Sequence, residues 1–340
     1  MGDLDMIVFS GDIGGTTTRM QLTEFTGANK IRIIKNSHYY NSDYPSFDAV
    51  IDAFFAEAAL NKIVIKSACF GVAGPVINET VKFTNLPWEI KTIDIKTKLK
   101  LDKVALINDF VAIGYGLERL ARPDLLTLQE GKECMGGVKA YIGAGTGLGV
   151  SFMIYCQRRY EVYPTEGGHV DFAPTDEMQL ELLRFLYKKH HRVSFERVLS
   201  GQGLVNIYQF VLAYKNYGEE ENIKLAALID SEQHVDIAAT IVEYAIKRND
   251  VIAKRALDIF IRIYGAAAGN LALTTLPFGG LYVVGGIAPK ILPEIKTGGF
   301  LEAFTDKGRM TDLIKNIPLH IVLNTDIGLQ GAAVYAKNIE

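Results

Sequence analysis

Hydrophobic and polar positions change their period repeatedly along the chain. Short apolar or β-prone runs predict strands, and apolar residues spaced three and four apart predict amphipathic helices. The predicted strands are 6–10, 20–25, 31–37, 63–71, 103–107, 280–284 and 319–323, with a strand–glycine loop–strand unit at 139–155. The predicted helices are 47–60, 110–120, 177–190, 204–214, 251–273 and 329–338. This alternation predicts an α/β fold.

Length and composition narrow the class of protein. The chain has 340 residues, which predicts two domains at about 100–200 residues each. It is 49% hydrophobic with a net charge of −3, so we expect a packed globular protein without a nucleic-acid partner. Charge interrupts the apolar runs before the roughly 20 residues of a membrane span, and the start does not resemble a secretory signal. Three scattered cysteines fit a reducing environment, so we expect a cytoplasmic protein.

The sequence GDIGGTTTR (Gly11–Arg19) follows the first predicted strand. Glycines in a turn let backbone N–H groups approach phosphate oxygens, and Thr16 and Thr17 add hydroxyl donors. Asp12 at the strand end suits indirect contact with a phosphate-bound Mg²⁺, which keeps most of its waters. A plain tight turn is the alternative, and the flanking polar residues favour phosphate binding over it.

A second glycine-rich loop, IGAGTGLGVS (142–151), has the same character. It does not match the P-loop, and a strand rather than a helix follows it, which argues against the dinucleotide-binding pattern. Aligning 14–17 with 144–147 places a strand before and after each loop. This indicates an internal duplication in which two loops hold one polyphosphate from two sides.

Two further segments contain candidate polar groups. Asn108 and Asp109 follow a buried strand, where Asp109 is either a general base or simply a helix cap. The sequence TEGGHVDF contains Glu166, His169 and Asp171, which suit hydrogen bonds to vicinal hydroxyls better than a metal site. Glu196 has no distinguishing sequence context.

In this order and spacing, the motifs resemble those of the bacterial glucokinase family, within the actin-like superfamily of sugar kinases and chaperone ATPases. The resemblance spans nearly the whole chain. It rests on GDIGGTTTR, TNLPW, LINDFVAIGYG, IGAGTGLGVSF, EGGHVDF, ERVLSGQGLVNIY, VVGGIAPK and FLEAFTDKGRM. One departure is Thr17, where many relatives have Asn or Lys after GGT.

The resemblance implies two actin-like (ribonuclease H-like) α/β domains with the active site in the interdomain cleft. The smaller domain would comprise 1–118 and 326–340, and the larger domain 119–325. The implied reaction is ATP-dependent phosphorylation of glucose at its 6-hydroxyl, the first step of glycolysis, with Mg²⁺ carried by ATP and no metal site of the protein's own. A homodimer formed through the larger domain is also implied.

The resemblance also assigns roles to individual residues. Asp109 would be the catalytic base. The residues that would contact the sugar are Asn85, Asn108, Gly147, Glu166, His169 and Glu196. Those that would hold the nucleotide and its phosphates are Gly11, Asp12, Ile13, Gly14, Gly15, Thr16, Gly145, Thr146, Gly285 and Gly286.

Three other functions remain to be weighed. The chain could phosphorylate another hexose, such as fructose, mannose or N-acetylmannosamine. It could be a non-metabolic actin-like ATPase, although such a protein would lack the EGGH and Asn-Asp groups. A zinc-dependent repressor or kinase of the related DIGGT family is disfavoured because no cysteine follows the EGGH segment.

Overall fold

The computed structural model describes residues 6–27, 30–56, 63–83, 86–214, 225 and 236–339. Contacts between Cα atoms divide the chain into two units. Unit 1 comprises Met1–Ala121 and Asn324–Glu340, and unit 2 comprises Arg122–Leu323. The chain therefore leaves unit 1, completes unit 2 and returns to unit 1 for its last helix.

The strands of unit 1 are β1 (Met6–Ile13), β2 (Thr17–Thr26), β3 (Lys30–Tyr40), β4 (Ile65–Val72), β5 (Thr80–Lys82), β6 (Glu89–Lys91) and β7 (Val104–Asn108). Its helices are α1 (Phe47–Phe55), α2 (Thr92–Leu99), α3 (Asp109–Leu117) and α12 (Ile327–Lys337). The predicted helix 47–60 therefore includes α1, and its positions 57–60 lie outside the described residues.

A five-stranded sheet organises unit 1, with strand order β3-β2-β1-β4-β7. The first three strands form an antiparallel meander, whereas β4 and β7 run parallel to β1. Because side chains alternate between the faces of a strand, neighbouring residues of β1 enter different cores. Phe9 packs with α1 on one face, and Val8 packs with α12 on the other.

Helices α3 and α12 cross in unusually close contact on that second face. A Cβ atom built on Gly331 would lie 1.7 Å from the carbonyl oxygen of Ala112, and one on Gly116 would lie 2.2 Å from that of Ile327. Only glycine fits at such a backbone approach. The C-terminal helix is thus held against the helix that begins at Asp109.

The strands of unit 2 are β8 (Leu125–Gln129), β9 (Lys139–Ala144), β10 (Leu148–Cys156), β11 (Arg159–Thr165), β12 (Leu281–Val284) and β13 (Leu319–Val322). Its longer helices are α4 (Glu177–His190), α5 (Gly201–Ala213), α6 (Ile237–Lys247) and α7 (Val251–Thr275). Shorter helices are α8 (Ile287–Lys290), α9 (Leu292–Ile295), α10 (Gly299–Thr305) and α11 (Thr311–Ile314).

The sheet of unit 2 repeats the arrangement of unit 1. Its order is β11-β10-β9-β12-β13-β8, so an antiparallel meander is again followed by two parallel strands. Strand β8 is an addition that pairs antiparallel with β13. The shared order supports the duplication indicated by the two glycine loops.

Helix α7 is the central helix of unit 2. Among the described residues it is the one helix long and apolar enough to cross a membrane by length and composition, contrary to the expectation that charge interrupts every such run. Its most apolar window is 72% buried inside the structure. Side chains such as Phe260 and Tyr264 are fully buried there, which is the packing of a core helix.

The α3–α12 crossing gives a test of stability. Replacing Gly331 with Ala should lower the free energy of unfolding by at least about 2 kcal/mol, because the new methyl group forces the two helices apart. Gly328→Ala is the matched control on the same helix, since its nearest neighbour would be 3.6 Å away. Equal denaturant midpoints for the two variants would show that the crossing relaxes freely.

Candidate active site

The first glycine loop is the turn between β1 and β2. Gly14 donates its backbone N–H to the carbonyl of Thr17 at 2.9 Å, and Gly15 and Thr16 are exposed at the tip. Gly11 and Ile13 are buried within β1, and a Cβ on Gly11 would lie 2.6 Å from the ring of Phe70. Of the expected phosphate residues, the structure therefore exposes Gly15 and Thr16, whereas Gly11 and Ile13 support the turn from below.

Asp12 is paired with Arg19, which lies opposite it in the β1–β2 register. The same guanidinium donates to Asp326 at 2.7 Å and to the carbonyl of Thr325 at 2.9 Å. Arg19 therefore joins the end of β1 to the start of α12. The motif GDIGGTTTR contains Arg19 but assigns it no role. The equal spacing of Asp12 and Arg19 from the turn is the feature of the sequence that indicates their pairing.

Asn108 and Asp109 lie where β7 ends and α3 begins. Asn108 is the N-cap residue, and its side-chain oxygen accepts the N–H of Phe110 at 2.9 Å. Asp109 is the first helical residue, and its carboxylate accepts the same N–H at 2.9 Å. Asn108 therefore caps helix α3, and the cap does not depend on Asp109 alone.

The Asp109 carboxyl has an unusual acidity. Burial, reinforced by the negative charge of Asp12, raises its pKa to about 6, while hydrogen bonds to the carboxylate oppose that rise. A carboxylate with such a pKa can accept a proton near neutral pH.

Gly71 of β4 lies between the two aspartates. In the strand register, Gly71 lies opposite Asp12 of β1 on one side and opposite Ile107 of β7 on the other. A Cβ there would lie 3.1 Å from Cβ of Ala112 and 3.7 Å from Cα of Asp109. The absence of a side chain lets α3 begin close to the sheet.

In unit 2 the second glycine loop is the turn between β9 and β10, with Thr146 exposed at its tip. Gly201 at the start of α5 donates its N–H to the carbonyl of Gly145 at 2.8 Å. Glu196 accepts the N–H of Leu148 at 3.0 Å, and a Cβ on Gly147 would lie 2.7 Å from the same carboxylate oxygen. Glu196, which has no distinguishing sequence context, is thus in direct contact with this loop.

The structure brings the three expected sugar-binding side chains of unit 2 together. His169 lies 3.8 Å from Glu166 and 4.0 Å from Glu196, measured between ring nitrogens and carboxylate oxygens. Their side chains are 88% exposed for Glu166, 56% for His169 and 33% for Glu196. They therefore form an accessible cluster of hydrogen-bonding groups. Asp171 pairs instead with Arg192 at 2.9 Å.

Gly285 and Gly286 follow β12, which pairs in parallel with β9. They consequently lie at the same sheet edge as the second glycine loop. Gly285 has a φ of +89°, and a Cβ on it would lie 2.7 Å from the carbonyl oxygen of Ala144. The buried hydroxyl of Tyr264 accepts the N–H of Ala144 at 3.0 Å beneath this edge, and burial raises the pKa of that hydroxyl.

Three glycines in these loops have no structural reason to be glycine. A Cβ atom on Gly15, Gly145 or Gly286 would have no heavy atom within 4 Å outside its own immediate chain neighbours. None has the positive φ that favours glycine. All three are expected nucleotide-binding residues, and open space in front of a backbone amide is what a phosphate or nucleoside requires.

The remaining expected residues divide between the units. Unit 1 contains Asp12, Asn108 and Asp109, and the sugar cluster belongs to unit 2. Asn85 lies outside the described residues. Among the residues that are described, no group of three or more His, Cys, Asp or Glu side chains could hold a metal ion.

Comparison with known proteins places the chain in a family. The family model described as Glucokinase matches residues 9–339. A glucokinase from Nostoc sp. is 45% identical over 341 residues, covering 98% of this chain and 99% of that protein. The crystal structure of a glucokinase from an Antarctic psychrotroph matches with a TM-score of 0.82 and 29% identity, covering 98% of this chain and 99% of that one.

A more distant structure shows the fold alone. It is a ROK family glucokinase from Streptomyces griseus in complex with glucose and AMPPNP. Its TM-score is 0.62 at 20% identity, and the match covers 97% of this chain and 99% of that one.

The repeated sheet order and these matches define a sugar kinase of the actin-like ATPase fold, which confirms the predicted fold class. More particularly, the chain belongs to the glucokinase family, as its motifs predicted.

The open glycines give a prediction about nucleotide binding. Gly15→Ala, Gly145→Ala and Gly286→Ala should each raise the KM for ATP about tenfold without lowering the melting temperature, because the new methyl group occupies space that the bound nucleotide would fill. Gly299→Ala is the control, because its Cβ would make ordinary 3.7 Å contacts with Arg262. Unchanged KM values in all three loop variants would contradict nucleotide binding at these turns.

Proposed function

We propose that the chain transfers the terminal phosphoryl group of ATP to the 6-hydroxyl of glucose, giving glucose 6-phosphate and ADP. Membership of the glucokinase family over nearly the whole chain supports glucose as the acceptor. The observation that carries the chemistry is Asp109, a half-buried carboxylate with a pKa of about 6 that lies directly after the parallel strand β7, at the start of α3.

Asp109 acts as the general base. A primary hydroxyl becomes a better nucleophile as its proton moves to a neighbouring carboxylate. Asp109 accepts that proton from the 6-hydroxyl, and Asn108 fixes the start of the helix that holds it. Phosphoryl transfer depends mainly on positioning and charge stabilisation, so one base and well-placed donors suffice.

The two glycine loops and the turn at Gly285 and Gly286 bind ATP. Exposed amides at the first two turns donate to phosphate oxygens, and the Gly286 turn leaves room for the nucleoside. In this assignment the loops hold the terminal phosphoryl group in line with the attacking hydroxyl.

Mg²⁺ fits the carboxylates of unit 1. Asp12 and Asp109 interact by charge, and Arg19, whose guanidinium pairs with Asp12, is shared with Asp326. This excess of hard, negatively charged oxygen suits a cation that brings most of its ligands as water and phosphate. When bound, Mg²⁺ would neutralise negative charge on the phosphates of ATP, and Asp12 would hold it through water.

Glu166, His169 and Glu196 bind the sugar hydroxyls. Two carboxylates accept hydrogen bonds from vicinal hydroxyls, and the imidazole can donate or accept. Their separations of 3.8–4.0 Å leave each side chain able to reach a different hydroxyl. This cluster, with Asn108, favours a small-molecule acceptor over an actin-like ATPase without one. Glu166 donates no hydrogen bond in its ionised form, which disfavours an N-acetyl group beside it.

The cellular setting follows from the same assignment. A cytoplasmic location supplies ATP, and the described cysteines are all free thiols. A homodimer formed through unit 2 is part of this proposal. Exposed apolar side chains on β10 and β11, including Tyr155 and Tyr163, support it.

Asp109→Asn should reduce kcat by about 10²–10⁴-fold while leaving glucose affinity largely intact, because the amide cannot accept the proton. Asp94→Asn is the control, since Asp94 also lies in the first turn of a helix of unit 1. If both variants retained normal turnover, Asp109 would not be the base and would serve only at the N-terminus of α3.

The pH profile follows from the raised pKa. Glucose phosphorylation should lose about tenfold in kcat/KM for each pH unit below about 6, because the protonated carboxyl is not a base. In Asp12→Asn the residual activity should decline at a lower pH, because the neighbouring negative charge is gone. A wild-type profile that stays flat down to pH 4 would contradict the assignment.

The same shift predicts the effect of pH on stability. The folded state holds the Asp109 proton more tightly than the unfolded state, so its contribution to stability is present below about pH 4 and is lost as pH rises through about 6. At pH 7.5 Asp109→Asn should therefore melt at the same or a higher temperature than the wild type. A clear loss of melting temperature would show that the ionised carboxylate stabilises the fold.

Glu196→Gln and His169→Ala should raise the KM for glucose much more than the KM for ATP. Each change removes a sugar hydrogen bond of about 1–3 kcal/mol, or about 5- to 150-fold in KM. Glu181→Gln on helix α4 of the same unit is the control. A change confined to the KM for ATP would show that the cluster serves the nucleotide.

A further inference from the structure

Asn41, which belongs to none of the motifs singled out above, lies directly behind the first glycine loop. It follows β3, whose last residue Tyr40 pairs with Thr17 of β2. Asn41 is 2% exposed, and Thr18, which contacts it, is fully buried. A buried amide is stable only when its polar atoms are hydrogen-bonded, so its partners show what it supports.

The side chain and N–H of Asn41 bind the turn and the residue after it. Asn41 Nδ2 donates to the carbonyl of Gly14 at 2.9 Å, and its backbone N–H donates to the carbonyl of Thr16 at 2.9 Å. Asn41 Oδ1 accepts the hydroxyl of Thr18 at 2.7 Å. These bonds draw two carbonyl oxygens of the turn toward the interior.

The orientation of those carbonyls determines what the turn can bind. Carbonyl oxygens directed outward would repel a phosphate, whereas backbone amides attract one. Asn41 holds the Gly14 and Thr16 carbonyls on the inner side. The amides of Gly15 and Thr16 have no acceptor in the part of the chain that the structure describes, and both residues are exposed.

We propose that Asn41 is a positioning residue for ATP, which keeps the carbonyl oxygens of Gly14 and Thr16 away from the phosphates so that the exposed amides of Gly15 and Thr16 can donate to them. The inference rests on the proposed phosphate-binding role of this turn. It adds a residue that touches no substrate and acts through the loop.

The principal test is Asn41→Ala, followed by steady-state kinetics with both substrates. Misdirected loop groups should raise the KM for ATP by about 10- to 100-fold, with the KM for glucose changed less than twofold. Inhibition by inorganic tripolyphosphate should weaken by a similar factor, whereas inhibition by AMP competing with ATP should change little. Equal weakening for AMP and tripolyphosphate, or no change in the KM for ATP, would overturn the proposal.

Ser67→Ala controls for the loss of a buried polar bond. Ser67 is also buried in unit 1, and its hydroxyl donates to the carbonyl of Ala336 at 2.7 Å. This variant should have a lower melting temperature than the wild type and an unchanged KM for ATP. If it raised that KM as much as Asn41→Ala, general loosening of the unit would explain both results and the proposal would fail.

A second pair of variants applies if Asn41→Ala does not fold. Thr18→Val removes the hydroxyl that orients the Asn41 amide at nearly constant volume, and Thr18→Ser retains a hydroxyl. We expect the KM for ATP to rise about 2- to 10-fold in Thr18→Val and to return to near the wild-type value in Thr18→Ser. Equal KM values in both variants would count against the proposal.

Gly15→Ala separates failure of this inference from failure of the proposed function. If Gly15→Ala leaves the KM for ATP unchanged, the turn is not a phosphate site and both ideas are wrong. If Gly15→Ala raises it while the Asn41 and Thr18 variants do not, the loop binds ATP and only the role of Asn41 is wrong.

Discussion

The carboxylates of Asp12 and Asp109 interact by charge in unit 1, and the chemistry proposed for the candidate site depends on how their surroundings balance that charge. Asp12 lies in β1 and Asp109 follows β7, on either side of β4, where Gly71 has no side chain to separate them. Arg19 offsets the charge of Asp12, and the N-terminus of α3 partly stabilises that of Asp109. Burial, reinforced by the remaining repulsion, raises the pKa of Asp109 to about 6.

Much of the fold was accessible from local sequence, because period and caps are local properties. Helix α4 begins at Glu177 and ends at His190, as predicted. Asp176 caps the N-terminus of this amphipathic helix. Glycine turns also located both hairpins. Strand β11 was harder to see, since it is an edge strand with largely exposed residues and no buried alternation. The family resemblance supplied Glu196, whose contact with Gly147 depends on a distant loop.

The supporting residues of the site could not be predicted in the same way. Asn41 reaches the first turn only through the pairing of β2 with β3, and Tyr264 reaches the second only through the packing of α7 beneath the sheet. Such contacts depend on register and helix rotation, which residue types alone do not determine. The sequence therefore indicates candidate polar residues more readily than the residues that hold their loops in place.

The return of the chain to unit 1 has a consequence for its synthesis. Every residue of unit 2 emerges from the ribosome before α12, so the later unit can complete its core first. Until α12 arrives, Val8, Cys69 and Ala112 lack the helix that covers them, and Ser67 lacks its acceptor. One face of the N-terminal sheet in residues 1–121 therefore stays without its covering helix until the whole of unit 2 and then α12 have been synthesised.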